Sequence, residues 1–304
     1  MLSALFVLNV GAKELKVLMI GNSFSQSVLV YLPRIVKAER RHSLLLAQLM
    51  IGGCSLEHHV KMLKRSEADP SWKPYRTNYQ KREKVSLPEM IAAEKWDIVT
   101  IQQASVLSWD KRKTQPFADE LIAYIRTRAP QAEILVHQTW ACRVDQAPEQ
   151  QNLDRRYTLL TENYTTLARK HHLRMIPVGK AVQRFRKREN IDLKILSKAD
   201  LEHYVFPSLP PDSGDLITRY KWRTDSGTGK RKLVIDNGHL NNRGAYLQAC
   251  VWYGFLFGEN CTGISYTPPG IASRTAVLLR AYAQDALTAD GTGNLKTPAK
   301  SPTP

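Results

Sequence analysis

Residues 14–25 read Glu14-Leu15-Lys16-Val17-Leu18-Met19-Ile20-Gly21-Asn22-Ser23-Phe24-Ser25. From Val17 the run is apolar without alternation until Gly21 closes it, the pattern of a strand buried on both faces of a sheet. Polar residues follow, and then Val28, Leu29, Tyr31, Leu32 and Ile35 at helical spacing predict a helix over about 26–41. A strand that ends on glycine and feeds a helix is a βα unit of a parallel sheet. Its last residues lie at the carboxyl edge of that sheet, where open α/β folds bind their ligands.

The same unit recurs along the chain. Residues 43–51, closed by Gly52-Gly53, residues 96–101, residues 132–137 and, more weakly, residues 173–178 read as further strands. Pro116 opens a helix carrying Phe117, Leu121, Tyr124, Ile125 and Arg128. Leu153, Tyr157, Leu160, Tyr164 and Leu167 form an amphipathic stripe, which is core packing. Ala245 to Phe257 is apolar nearly all round and belongs inside, and Ser273 caps a last helix through Leu287. The alternation predicts an α/β fold, a three-layer α/β/α sandwich around a central parallel sheet of about five strands.

The chain has 304 residues, 43% of them hydrophobic, enough for one sizeable core and just enough for two. Residues 13–288 read as a single domain, with a basic, irregular insertion at about 186–233. Residues 289–304, rich in Pro, Gly, Thr and Lys, read as a disordered tail. The apolar run Leu2–Val10 before Gly11-Ala12 resembles a signal peptide that lacks its basic start. It points to export, periplasmic or extracellular, the other reading being a cytoplasmic protein with a short apolar lead-in. No further stretch is apolar for the 18 or so residues of a membrane span, so none is expected in the mature chain.

The formal net charge is +16, which favours contact with polyanions. The basic residues are spread over many segments and no DNA- or RNA-binding motif accompanies them, so nucleic acid is not an expected partner. Cys54, Cys142, Cys250 and Cys261 form no Cys-x-x-Cys pair; they read as buried hydrophobes, or as one disulfide if the chain is exported. No cofactor or metal is expected. In Glu57-His58-His59 the adjacent histidines face different ways with no third ligand in step, which reads as surface histidine, as does His171-His172. Ser226-Gly227-Thr228-Gly229-Lys230 lacks the leading glycine and the strand-to-helix context of a P-loop. Nothing in the sequence specifies an oligomeric state.

The residues that could carry chemistry cluster at strand ends. Ser23 stands between the first strand and a helix N-terminus, where the dipole favours developing negative charge; alone it would be an ordinary N-cap. Gly52-Gly53 lets the backbone approach a ligand and expose its N–H groups. Gln102-Gln103-Ala104-Ser105 puts two amides and a hydroxyl at the end of a buried strand. Trp140, at the end of the fourth strand, either walls a cleft or packs. Late in the chain, Asp236 and His239 are three apart before the buried helix. On a turn, that spacing lets the carboxylate meet imidazole Nδ1 and leaves Nε2 for a serine.

These blocks, in this order, resemble the SGNH (GDSL-like) hydrolase superfamily. Gly21-Asn22-Ser23 resembles its Gly-Asp-Ser block with Asn for Asp, Gly53 its second-block glycine, and Asp236-x-x-His239 its last block. Residues from about 15 to 288 are also similar to a poorly characterised bacterial branch with Gly-Asn-Ser-Phe-Ser and Gly-Gly-Cys-Ser-Leu signatures. The resemblance implies a flavodoxin-like SGNH fold and serine ester hydrolysis with Ser23 as nucleophile and Asp236 and His239 completing a triad. It implies oxyanion donors at the Ser23 and Gly53 backbone. The family's asparagine, the third donor, is missing, and Gln103 is expected in its place, with Gln102 and Ser105 as alternatives. Relatives include carbohydrate deacetylases and lipases, so a small-molecule or glycan ester, an O-acetylated sugar among them, is the expected substrate. The rival reading is a non-catalytic binder of acidic glycan or nucleic acid through the basic surface. No Gly-x-Ser-x-Gly elbow supports an ordinary α/β-hydrolase.

Overall fold

The computed structural model describes residues 11–142, 153–191, 196 and 198–288. The proposed leader falls mostly, and the proposed tail wholly, outside them.

The chain runs β1 (Glu14–Gly21), α1 (Ser23–Gln26), α2 (Val28–Glu39), β2 (Ser43–Met50), α3 (Leu56–Ala68), α4 (Leu87–Ala92), β3 (Ile98–Ile101) and α5 (Lys111–Arg128). It continues through β4 (Glu133–His137), α6 (Leu153–His171), β5 (Arg174–Ile176), α7 (Val178–Arg188) and α8 (Lys198–Glu202). β6 (Ile217–Thr224), β7 (Arg231–Leu240), α9 (Asn242–Phe257) and α10 (Ser273–Thr288) complete it. The first five strands form one sheet in the order β2-β1-β3-β4-β5, all parallel. The five-stranded parallel sheet between helical layers is the arrangement expected from the apolar runs.

Strand side chains alternate between the faces. Val17 and Met19 of β1 join the core under α2, α7, α9 and α10, while Leu18 and Ile20 join the core under α3, α4, α5 and α6. α9 has no polar face because it is enclosed by α2, α7 and α10. α5 begins at Lys111, capped by Asp110, so Pro116 lies inside that helix and does not open it.

The order 2-1-3 reverses chain direction across the sheet at β1, so the loops after β1 and β3 part there and leave a crevice at the carboxyl edge. The hairpin that closes this crevice begins inside the segment expected to be irregular and ends beyond it. Residues 217–240 form an antiparallel hairpin, β6-β7. The P-loop-like Ser226–Lys230 is its turn, tied by Asp225 Oδ1, which accepts from the N–H groups of Gly227 and Thr228. The alternating basic residues of β6 hide a strand whose other face packs inward.

A buried ion pair anchors this hairpin. Arg186 of α7 grips Asp215 with two bonds of 2.9 and 3.1 Å and donates a third, 2.7 Å, to the Ala141 carbonyl. Asn241 donates through its side chain to the carbonyls of Asp215 and Ile217 and caps α9 by accepting from Gly244 N. The start of β6, the end of β7 and the first turn of α9 are thereby one joint. Truncating one member of a buried pair strands the other charge, so Asp215→Ala should cost about 3–5 kcal/mol in urea denaturation. Replacing both Arg186 and Asp215 by apolar residues should cost clearly less, and equal losses would contradict this reading.

Candidate active site

Asn22 builds the site from the middle. It caps α1 by accepting from Phe24 N at 3.0 Å. Its Oδ1 also accepts from Gln102 Nε2 at 2.8 Å, and its Nδ2 donates to the Cys54 carbonyl at 2.9 Å. One buried amide thus ties together the loops that follow β1, β2 and β3. The Asn-for-Asp change has a reason here, because a carboxylate could accept both bonds but could not donate to Cys54. Asn22, and not Ser23 or Ser25, is the helix cap. The Ser25 hydroxyl donates to the Asn22 carbonyl and is buried.

Ser23 is the first residue of α1, so its N–H has no intrahelical acceptor. Gly53 has φ +65°, a conformation that favours glycine. Both residues line one cleft of about 360 Å³, together with Ser105, Lys221, Asp236 and His239. Neither the Ser23 nor the Gly53 N–H donates a hydrogen bond to any described residue.

The Asp–His pair comes from a bulge in β7 rather than from a loop before α9. Ile217 faces Leu240 and Arg219 faces Asp236, so β7 spends two more residues than β6 between those rungs. Bulges re-aim side chains, and this one turns His239 toward Ser23. Asp236 Oδ1 accepts from the His239 N–H at 3.0 Å and the Gly238 N–H at 3.3 Å. His239 Nδ1 lies 2.9 Å from Asp236 Oδ1, and His239 Nε2 lies 2.8 Å from Ser23 Oγ. Trp140 clamps the bulge by donating from Nε1 to the Gly238 carbonyl at 2.8 Å. Its ring stacks on Phe24 at 4.2 Å, and Phe24 meets the His239 ring edge-on. Trp140 is buried and packs on Phe24, and it also borders a second pocket beside Ser23 and His239, so both of its readings stand.

Burial opposes the Asp236 charge, yet hydrogen bonds from His239 and Lys221 outweigh it and hold the carboxyl well below the usual range. The Lys221 ammonium pairs with Asp236 Oδ2. Sequence reasoning missed Lys221, whose only signal is its alternate-residue spacing on a basic strand.

The structure brings Ser23, Gly53, Asp236 and His239 together and leaves Gln103 out. Gln103 is fully buried, and its amide donates to the Lys113 carbonyl at 2.7 Å and to Thr114 Oγ1 at 3.3 Å. Its Oε1 accepts from Leu56 N and Ala104 N. With both amide hydrogens committed, it has none for an oxyanion, so the expectation for this residue is corrected to support of the Gly53 loop. Gln102 is turned onto Asn22, and Ser105 remains on the cleft wall. His59, expected at the surface, is buried against Tyr75, with burial lowering its pKa to about 3. All four cysteines are buried free thiols. Among the described residues, no three His, Cys, Asp or Glu side chains converge as metal ligands, and no helix is long and apolar enough to cross a membrane.

Residues 16–195 match the family described as Domain of unknown function (DUF4886). A crystal structure of a DUF4886 family protein from Bacteroides uniformis superposes with a TM-score of 0.67 at 28% identity, covering 90% of this chain and 95% of that one. An acetyl xylan esterase structure matches with a TM-score of 0.46 at 15% identity, over 79% of this chain and 99% of that one. No curated protein matches the chain.

Asn22→Asp sets a carboxylate against the Cys54 carbonyl and should cost about 1–3 kcal/mol in thermal or urea unfolding, whereas unchanged stability would contradict its bridging role. Because folding depresses the Asp236 carboxyl, the stability it contributes is complete above about pH 4 and is lost as the pH falls further toward the folded value. Wild type should therefore converge on Asp236→Asn below about pH 4 in denaturation curves. Curves that stay parallel would contradict the depressed ionisation.

Proposed function

The chain belongs to the DUF4886 family, and we propose that it is a serine ester hydrolase acting through Ser23, His239 and Asp236. The observation that carries this reading is the continuous path from Ser23 Oγ to His239 Nε2, and from Nδ1 to Asp236, at 2.8 and 2.9 Å. A serine at a helix N-terminus, an imidazole in reach and a depressed carboxylate behind it are the parts that acyl transfer needs.

In the proposed reaction Ser23 Oγ attacks the ester carbonyl while His239 Nε2 takes its proton. Asp236 keeps the Nδ1–H tautomer in place and stabilises the imidazolium. The free N–H groups of Ser23 and Gly53 receive the negative charge on the tetrahedral oxygen. His239 then protonates the leaving alcohol. Water, activated by the same imidazole, attacks the acyl-serine and releases the acid. The cleft of about 360 Å³ is walled by apolar Phe24, Val106 and Ile235 beside Lys221 and Arg223, which suits a small acyl group on a polar alcohol, so an O-acetylated sugar is the substrate class proposed.

The test is turnover of 4-nitrophenyl acetate and acetylated sugars by wild type and variants. Ser23→Ala and His239→Ala should lower kcat by about 10⁴–10⁶, and Asp236→Asn by about 10⁴, with circular dichroism unchanged. Near-wild-type turnover in folded Ser23→Ala would end this reading.

A further inference from the structure

Strand β6 carries Lys221 and Arg223 two residues apart, on one face of the hairpin. Both line the cleft that holds Ser23 and His239. Lys221 is committed to Asp236. Arg223 is not committed: its guanidinium forms no ion pair and donates no hydrogen bond to any described residue. The residue directly opposite it on β7 is Lys232. Like charges facing each other across a hairpin destabilise it. The acid that acts on Lys232 is Asp225, and its Oδ1 already accepts from two turn N–H groups and the Thr228 hydroxyl. The cleft wall therefore carries one guanidinium, that of Arg223, with no ion-paired or hydrogen-bonded partner among the described residues.

We propose that this site selects esters whose alcohol part carries a carboxylate, as an O-acetylated uronic acid does, with Arg223 receiving that carboxylate. This rests on the ester-hydrolase reading above. A guanidinium offers a planar, two-pronged donor set that fits a planar carboxylate, and one uncommitted guanidinium matches one negative charge. Lys232, opposite Arg223 on β7, adds positive charge beside it that Asp225 offsets in part. The acyl group would sit at Ser23 and the anionic sugar would extend along β6.

The experiment compares kcat/KM for acetylated galacturonate with that for acetylated galactose, which differ in the carboxylate. Wild type should favour the uronate about tenfold to a hundredfold. The preference should fall to near unity in Arg223→Gln, reverse in Arg223→Glu and shrink in part in Lys232→Gln. It should also shrink as ionic strength rises. Arg223 and Lys232 are exposed, so these variants should fold. Equal turnover of both esters by wild type, or a uronate preference that survives in Arg223→Glu, overturns this inference and leaves the hydrolase reading standing. A folded wild type inert toward every ester overturns both.

Discussion

Asp236 Oδ1 accepts from its own neighbours Gly238 and His239 and faces His239 Nδ1, all within 3.3 Å. That short-range turn is the constraint on which the site depends. It fixes the bulge in β7, sets the direction of the imidazole and keeps the carboxyl ionised against the cost of burial. Without it the strand would continue in register and His239 would have no reason to face the sheet. The same atoms therefore shape the backbone and orient the imidazole that the proposed reaction uses as its base.

The rest of the structure holds two pieces at a fixed separation. One is the carboxyl edge of the sheet, where Asn22 binds three strand-end loops into a single surface. The other is the hairpin, anchored at its base by Arg186–Asp215 and Asn241. Trp140 spans the two, stacking on Phe24 from one and donating to Gly238 of the other. A site made between two independently anchored bodies keeps a 2.8 Å contact only if both anchors hold. Buried polar groups serve that purpose well, because each is costly to leave unpaired and so permits few alternative arrangements.

Much of this was legible in the amino-acid sequence, for identifiable reasons. The five parallel strands announce themselves because burial on both faces requires unbroken apolar runs such as Val17–Ile20. Ser23, Gly53, Asp236 and His239, singled out by ordered motifs, line one cleft, although Asp236 and His239 reach it from a strand bulge and not from a loop. The β6-β7 hairpin was hidden, since Lys221, Arg223, Arg231 and Lys232 give it the composition of a solvated loop. Gln103 was misread because strand position says that an amide is buried but not which partner it meets. Here the nearer partners are Leu56, Lys113 and Thr114. The role of Asn22 was likewise invisible, because the partners of its side chain, Phe24 excepted, lie far away in sequence.

The central claim is that Ser23 is the nucleophile, activated by His239. The most direct measurement is reaction of the intact protein with a fluorophosphonate, followed by peptide mapping of the modified residue. The account predicts one phosphonyl group per chain on Ser23, formed quickly in wild type and lost in Ser23→Ala and His239→Ala. Labelling of Ser25, Ser105 or another residue, or no labelling of a folded wild-type protein, would contradict it.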